Sequence, residues 1–170
     1  MPELQLLRAD HVPAVLAFER ANRAYFAAAV PDRGDEYFEH FDERLNTLLS
    51  EQELGTGAFY VLVDDDGSVL GRFNLELVGN GVGELGYRVA QHATGRGVAT
   101  ATVREICSIA AARHGLRTLR AAAARDNVAS TRVLLNAGFV AAEAADPSAI
   151  GGQVGSWYER DLSEVPPSYG

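Results

Sequence analysis

Where a strand-like stretch ends at Tyr87-Arg88-Val89 and a helical pattern takes over, the chain reads Thr94-Gly95-Arg96-Gly97-Val98-Ala99-Thr100. Two glycines, two residues apart at a strand-to-helix junction, let backbone amides turn inward. The helix that follows points its positive N-terminal end at the same place. Such a junction suits an anion such as phosphate, and the competing reading is a plain loop that needs glycine only for its turn. Two familiar phosphate loops fit poorly. A Walker loop ends in Gly-Lys-Ser/Thr, whereas Val98 follows the second glycine here. A dinucleotide fingerprint places a third glycine or alanine where Thr100 stands, and an acidic residue at the end of the next strand, where Ala124-Arg125 stand.

The flanking pattern points to an α+β fold. Leu4, Leu6 and Leu7 suggest a first strand, and Asp10 is placed to cap a helix with Pro13 in its first turn. Helical stretches are expected over Asn22 to Ala29 and over Glu36 to Leu54, parted by the turn residues Pro31-Asp32-Arg33-Gly34. Phe59 to Val63 and Val69 to Leu77 read as a hairpin around Asp64-Asp65-Asp66-Gly67, and Asn80-Gly81 turns into a third strand, Gly83 to Val89. Three consecutive antiparallel strands before the glycines argue against a parallel-sheet nucleotide fold. After the helix from Ala99 to about Gly115 come a strand over Arg117 to Ala124 and a helix capped by Asp126 or Asn127. Closing strands follow over Phe139 to Glu143 and Val154 to Leu162. With 170 residues, nearly half of them apolar, one domain spanning 1–164 and a tail at 165–170 are expected.

Composition narrows the function classes. A net charge of −8 with no basic stripe argues against nucleic acid. Cys107, the single cysteine, can form no internal disulfide, and no Cys/His spacing suggests zinc or another metal. The sequence has neither a signal-peptide pattern nor an apolar run long enough to span a membrane, so a cytoplasmic location is expected. Asp64-Asp65-Asp66-Gly67 lacks the remaining ligand spacing of a calcium loop, and His92 reads as a surface residue.

Three stretches taken together resemble the GNAT acetyltransferases, in particular the RimJ/RimL-like branch. They are Gly83-Glu84-Leu85-Gly86-Tyr87-Arg88-Val89, then Gly95-Arg96-Gly97-Val98-Ala99, then Asp126-Asn127-Val128-Ala129-Ser130 with Leu135-Asn136-Ala137-Gly138-Phe139. The resemblance covers about Phe59 to Leu162. It implies a central, mostly antiparallel, splayed sheet of six or seven strands flanked by four or five helices. It also implies acetyl-CoA as co-substrate and a primary amine as acceptor, with no metal, and relatives that often form homodimers.

By that resemblance the amides of Gly95 to Ala99, with Thr94 and Thr100 at the loop's ends, hold the pyrophosphate. Tyr87, Arg88 and Val89 pair with the pantetheine arm, and the Val89 amide serves as oxyanion donor. Asn127 hydrogen-bonds the arm, or is simply a helix cap. The family usually carries Gln or Arg where this chain has Thr94. Arg96, or the Thr94 hydroxyl, would then meet the phosphates. Leu134 occupies the place where many relatives have the tyrosine that protonates the departing thiolate. Ser130 is the substitute, and a small polar residue on an early helical turn is its bland alternative. Glu84 is the candidate general base, or else a solvent-facing strand residue. Asn22, Tyr25, Phe26 and Tyr158 fall where the resemblance puts the acceptor cleft, and Trp157 fits a core or interface role. Thr94 and Leu134 keep open a second function, an acyl-CoA-binding sensor or interaction module with little or no turnover.

Overall fold

Continuous apolar runs and alternating ones build the sheet. The computed structural model describes residues 1–164, and the tail expected at 165–170 lies outside the described residues. Among the described residues seven strands are hydrogen-bonded in the order β1-β2-β3-β4-β5-β7-β6. They are β1 (Glu3–Leu6), β2 (Gly57–Val63), β3 (Val69–Gly79), β4 (Val82–Val89), β5 (Thr118–Ala124), β6 (Val140–Ala145) and β7 (Gly155–Asp161). Among the described residues six helices accompany them: α1 (Val12–Ala21), α2 (Arg23–Ala27), α3 (Asp35–Glu39), α4 (Phe41–Leu54), α5 (Val98–His114) and α6 (Val128–Asn136). The sheet is open, mixed and mostly antiparallel, as expected.

The chain forms two compact units. The first takes in residues 1–76 and 87–94. Its β2 is an apolar run buried at every residue except Val63, as a strand covered on both faces must be. Phe59 and Val61 of β2, Phe73 and Leu75 of β3, Val15 of α1 and Leu45 of α4 are almost wholly removed from water. The aspartate run closes the β2–β3 hairpin: the Asp64 amide donates to the Ser68 carbonyl, Asp66 accepts from the Ser68 amide and hydroxyl, and Gly67 takes φ +86°.

The second unit takes in residues 77–86 and 95 onward. Val103 and Ile106 of α5, Leu119 of β5, Leu134 of α6 and Phe139 form its apolar interior. The pairing of β4 with β5 is the parallel one, running Val82–Thr118, Gly83–Leu119 and Glu84–Arg120, while β4 continues to Val89 and β5 to Ala124. The last strand, β7, lies between β5 and β6 and is antiparallel to both.

Two local expectations are corrected. Asp10 does not cap α1; it belongs to a 3-10 turn over Ala9–His11, and the Arg8 amide donates to Nδ1 of His11. The helix expected over Glu36 to Leu54 is broken at His40, whose backbone leaves the helical region at φ −110°, ψ 30°. Periodicity could not reveal the break, because helix-compatible spacing of Phe38, Phe41 and Leu45 carries across it. This break adds one to the helices expected, so that six lie among the described residues.

Candidate active site

In the first unit, the turn after β4 is held by hydrogen bonds that sequence alone does not predict. The Ala90 amide donates to the Leu70 carbonyl, and the Gln91 amide donates to Oδ1 of Asn22. The Asn22 amide nitrogen donates in turn to the Phe18 carbonyl, so both ends of this buried side chain are engaged within the protein. Thr94 donates its hydroxyl to the Gln91 carbonyl at 2.6 Å, closing the 3-10 turn over Gln91–Ala93 instead of reaching outward. Tyr87 stacks on Phe73 with ring centroids 5.8 Å apart. Of the acceptor-cleft candidates on α2, Phe26 is buried and Tyr25 is exposed.

In the second unit, Gly95 and Gly97 sit at φ +76° and +73°, and Gly97 is the N-cap of the 17-residue α5. A Cβ at either glycine would meet nothing within 4 Å, so conformation rather than space demands glycine here. Among the described residues no side chain caps α5, which leaves its first amides with the net positive end of a long helix. Thr94 to Gly97 are exposed, and Val98 to Thr100 are half-buried. Asn127 caps α6 by accepting from the Ser130 amide at 3.1 Å, so the cap reading of this residue holds. Leu134 is fully buried. Glu84 is half-buried on β4, beside Arg120 of β5 in register. On β7, Tyr158 lies in register between Ala121 and Ala141, and the Arg120 guanidinium sits 4.5 Å from the Trp157 ring centroid.

A polar cluster in the first unit went unforeseen. Glu19, on α1, is 1 % exposed. Its Oε1 accepts from Nη1 of Arg72 at 2.9 Å and lies 3.9 Å from Nε of Arg33, while its Oε2 lies 3.5 Å from Nη1 of Arg88. Nη1 of Arg72 also donates to the Tyr37 hydroxyl. Arg88 lies over the ring of Phe26 and Arg33 over that of Tyr37, at 4.9 and 4.8 Å from the centroids. Burial chiefly, and then the Arg33 cation, push the Arg88 guanidinium down from its ordinary value, with Glu19 opposing. The Arg88 side chain thus faces this cluster at long range and keeps about a fifth of its accessibility. The only sequence sign of it is Glu19 on the apolar stripe of a helix.

Residues 3–140 match the acetyltransferase (GNAT) domain. The chain belongs to the GNAT acetyltransferases. No curated protein matches it. Among solved structures, the ribosomal-protein-S5-alanine acetyltransferase from Vibrio fischeri superposes with a TM-score of 0.87 at 19 % identity, covering 98 % of this chain and 96 % of that one. RimJ from Mycobacterium smegmatis, in complex with CoA-disulfide, gives 0.85 at 20 %, covering 97 % and 84 %. The spermidine N-acetyltransferase from Vibrio cholerae, in complex with CoA and spermine, gives 0.78 at 15 %, covering 96 % and 97 %. This GNAT chain thus has the fold expected from its three motif stretches. Among the described residues no helix is long and apolar enough to cross a membrane.

Proposed function

We propose that this chain is a RimJ/RimL-like N-acetyltransferase that moves an acetyl group from acetyl-CoA to a primary amine by direct attack in a ternary complex. The observation that carries the reading is the exposed pair of left-handed glycines opening onto the uncapped N-terminus of α5, in a chain of the GNAT family. The amides of Gly95 to Ala99 are assigned to the pyrophosphate, and the backbone of Tyr87 to Val89 to the pantetheine arm. Thr94 contributes backbone only, because its hydroxyl already closes a turn. The family match spans parts of both compact units, which supports reading residues 1–164 as one acetyltransferase domain. A cytoplasmic homodimer is the working state.

The chemistry sets the remaining roles. An alkyl ammonium with a pKa near ~10 must lose a proton before its nitrogen attacks the thioester, and Glu84 takes that proton directly or through water. The nitrogen adds to the thioester carbon to give a tetrahedral oxyanion that the Val89 amide stabilises; the carbonyl then re-forms as the C–S bond breaks, and Ser130 donates a proton to the departing thiolate. Acceptors named for the similar structures, a ribosomal-protein alanine and spermidine, make protein N-termini and small amines the classes to test.

A thiol-release assay with acetyl-CoA and a panel of such amines is expected to show turnover. Glu84→Gln is expected to lower kcat about 100-fold or more without changing the acetyl-CoA dissociation constant. The fully buried Leu134, which leaves no tyrosine at the usual acid position, favours the second reading, an acyl-CoA-binding module. Tight acetyl-CoA binding with no turnover on any acceptor would establish that alternative.

A further inference from the structure

The Glu19 cluster holds more positive charge than it neutralises. One carboxylate faces three guanidiniums: among the described residues Arg72 bonds it closely at 2.9 Å, the Arg88 bond is long at 3.5 Å, and Arg33 stands at 3.9 Å. Arg72 is also the arginine withdrawn from water, at 6 % exposure. Arg88 and Arg33 stand 3.5 and 3.9 Å from Glu19, and their side chains keep 21 % and 30 % of their accessibility. Asp32, next to Arg33 in the chain, does not supply the missing charge, because it chelates Arg23. The result is a local excess of two positive charges in a chain whose net charge is −8. Arg88 and Arg33 are each steadied over an aromatic face, which leaves guanidinium N–H donors available to a planar anion.

Resting on the acetyltransferase reading above, we propose that Arg33 and Arg88 form a carboxylate subsite for the acceptor, so that the amine acetylated carries a carboxylate near its amino group. Arg88 immediately precedes Val89, the assigned oxyanion donor, so a group held by Arg88 is within a side chain's length of the transfer point. The carboxylate fills the open edges of the two guanidiniums and offsets the excess charge; a polyamine would add cations to a site that already repels them. The carboxylate comes either from a free amino acid or from an acidic residue close to a peptide N-terminus.

The test compares kcat/KM for matched acceptors: a free amino acid against its carboxamide, a peptide with aspartate as second residue against the same peptide with asparagine, and spermidine. At least one carboxylate-bearing acceptor is expected to exceed its amide by about tenfold, and the arm that does so identifies the source. The preference should shrink with added salt, and Arg33→Gln should abolish it while the acetyl-CoA dissociation constant stays unchanged. Arg33 is partly exposed, so this variant is not expected to unfold, and the wild-type comparison needs no variant. Equal rates within both pairs, faster turnover of spermidine, or a preference that survives Arg33→Gln would overturn the subsite while leaving the acetyltransferase standing. Acetyl-CoA binding with turnover of none of these acceptors would also overturn it. A wild-type chain that fails to bind acetyl-CoA would overturn both readings.

Discussion

Glu19 is tolerated out of water because Arg72 meets it at 2.9 Å and Tyr37 takes up part of the Arg72 donor capacity. Removing one partner of a buried pair leaves the other charge without compensation, and that costs more than the pair itself contributes. Glu19→Gln is therefore expected to destabilise the protein by about 3–5 kcal/mol, read from the denaturant midpoint at unchanged slope. The glycines that open α5 follow different physics. Gly95 and Gly97 have open space around them, so their requirement is the positive φ that L-residues adopt only under strain.

At the level of elements, β7 is tightly constrained at its first residue. Inserted between β5 and β6, it brings Gly155 so close to β5 that an added Cβ would stand 2.1 Å from the Ala123 carbonyl oxygen and 2.8 Å from the Ala124 Cα. Both obstacles are backbone and cannot swing aside. Gly155→Ala is expected to cost about 1–3 kcal/mol, or to move β7 out of register, and thermal unfolding together with amide-exchange protection of Ala123 and Ala124 would detect either. Helix α5 illustrates the opposite economy: its C-terminus is closed by Gly115 at φ +62°, whereas its N-terminus carries no side-chain cap. An uncapped start on a 17-residue helix is a place where a ligand can replace the cap.

For the molecule as a whole, acid is the condition to which stability should respond. His11 is buried, with Nδ1 accepting the Arg8 amide and Nε2 facing Oε1 of Gln5, an arrangement suited to the neutral ring. Burial, followed by the Arg8 charge, holds its pKa below the usual histidine value, with Asp10 opposing; burial and then Arg113 do the same for His114. Both groups therefore bind fewer protons folded than unfolded as the pH falls below about 6.5. Their contribution is fully present above that pH and is lost as pH drops through the depressed folded values. The melting temperature should fall from pH 7 toward pH 5, and His11→Gln should flatten that slope; a wild-type melting temperature unchanged over this range would contradict the assignment.

How much of this was legible beforehand follows from the range of the interactions. The glycine loop, a cap at Asp126 or Asn127, the hairpin turns and the alternation of the strands depend on residues a few positions apart, so the chain alone determined them, and with them the GNAT family. The break at His40 and the capture of the Thr94 hydroxyl are also local, but they turn on backbone geometry that residue type does not dictate. Packing decided the rest. Glu19, Arg33, Arg72 and Arg88 are 14 to 69 positions apart, and nothing in their spacing signals that one carboxylate gathers three guanidiniums. The insertion of β7 between β5 and β6 and the engagement of Asn22 by Gln91 likewise belong to tertiary structure. A buried charge is placed by whatever the fold brings within a few ångströms of it, and only the folded chain supplies those neighbours.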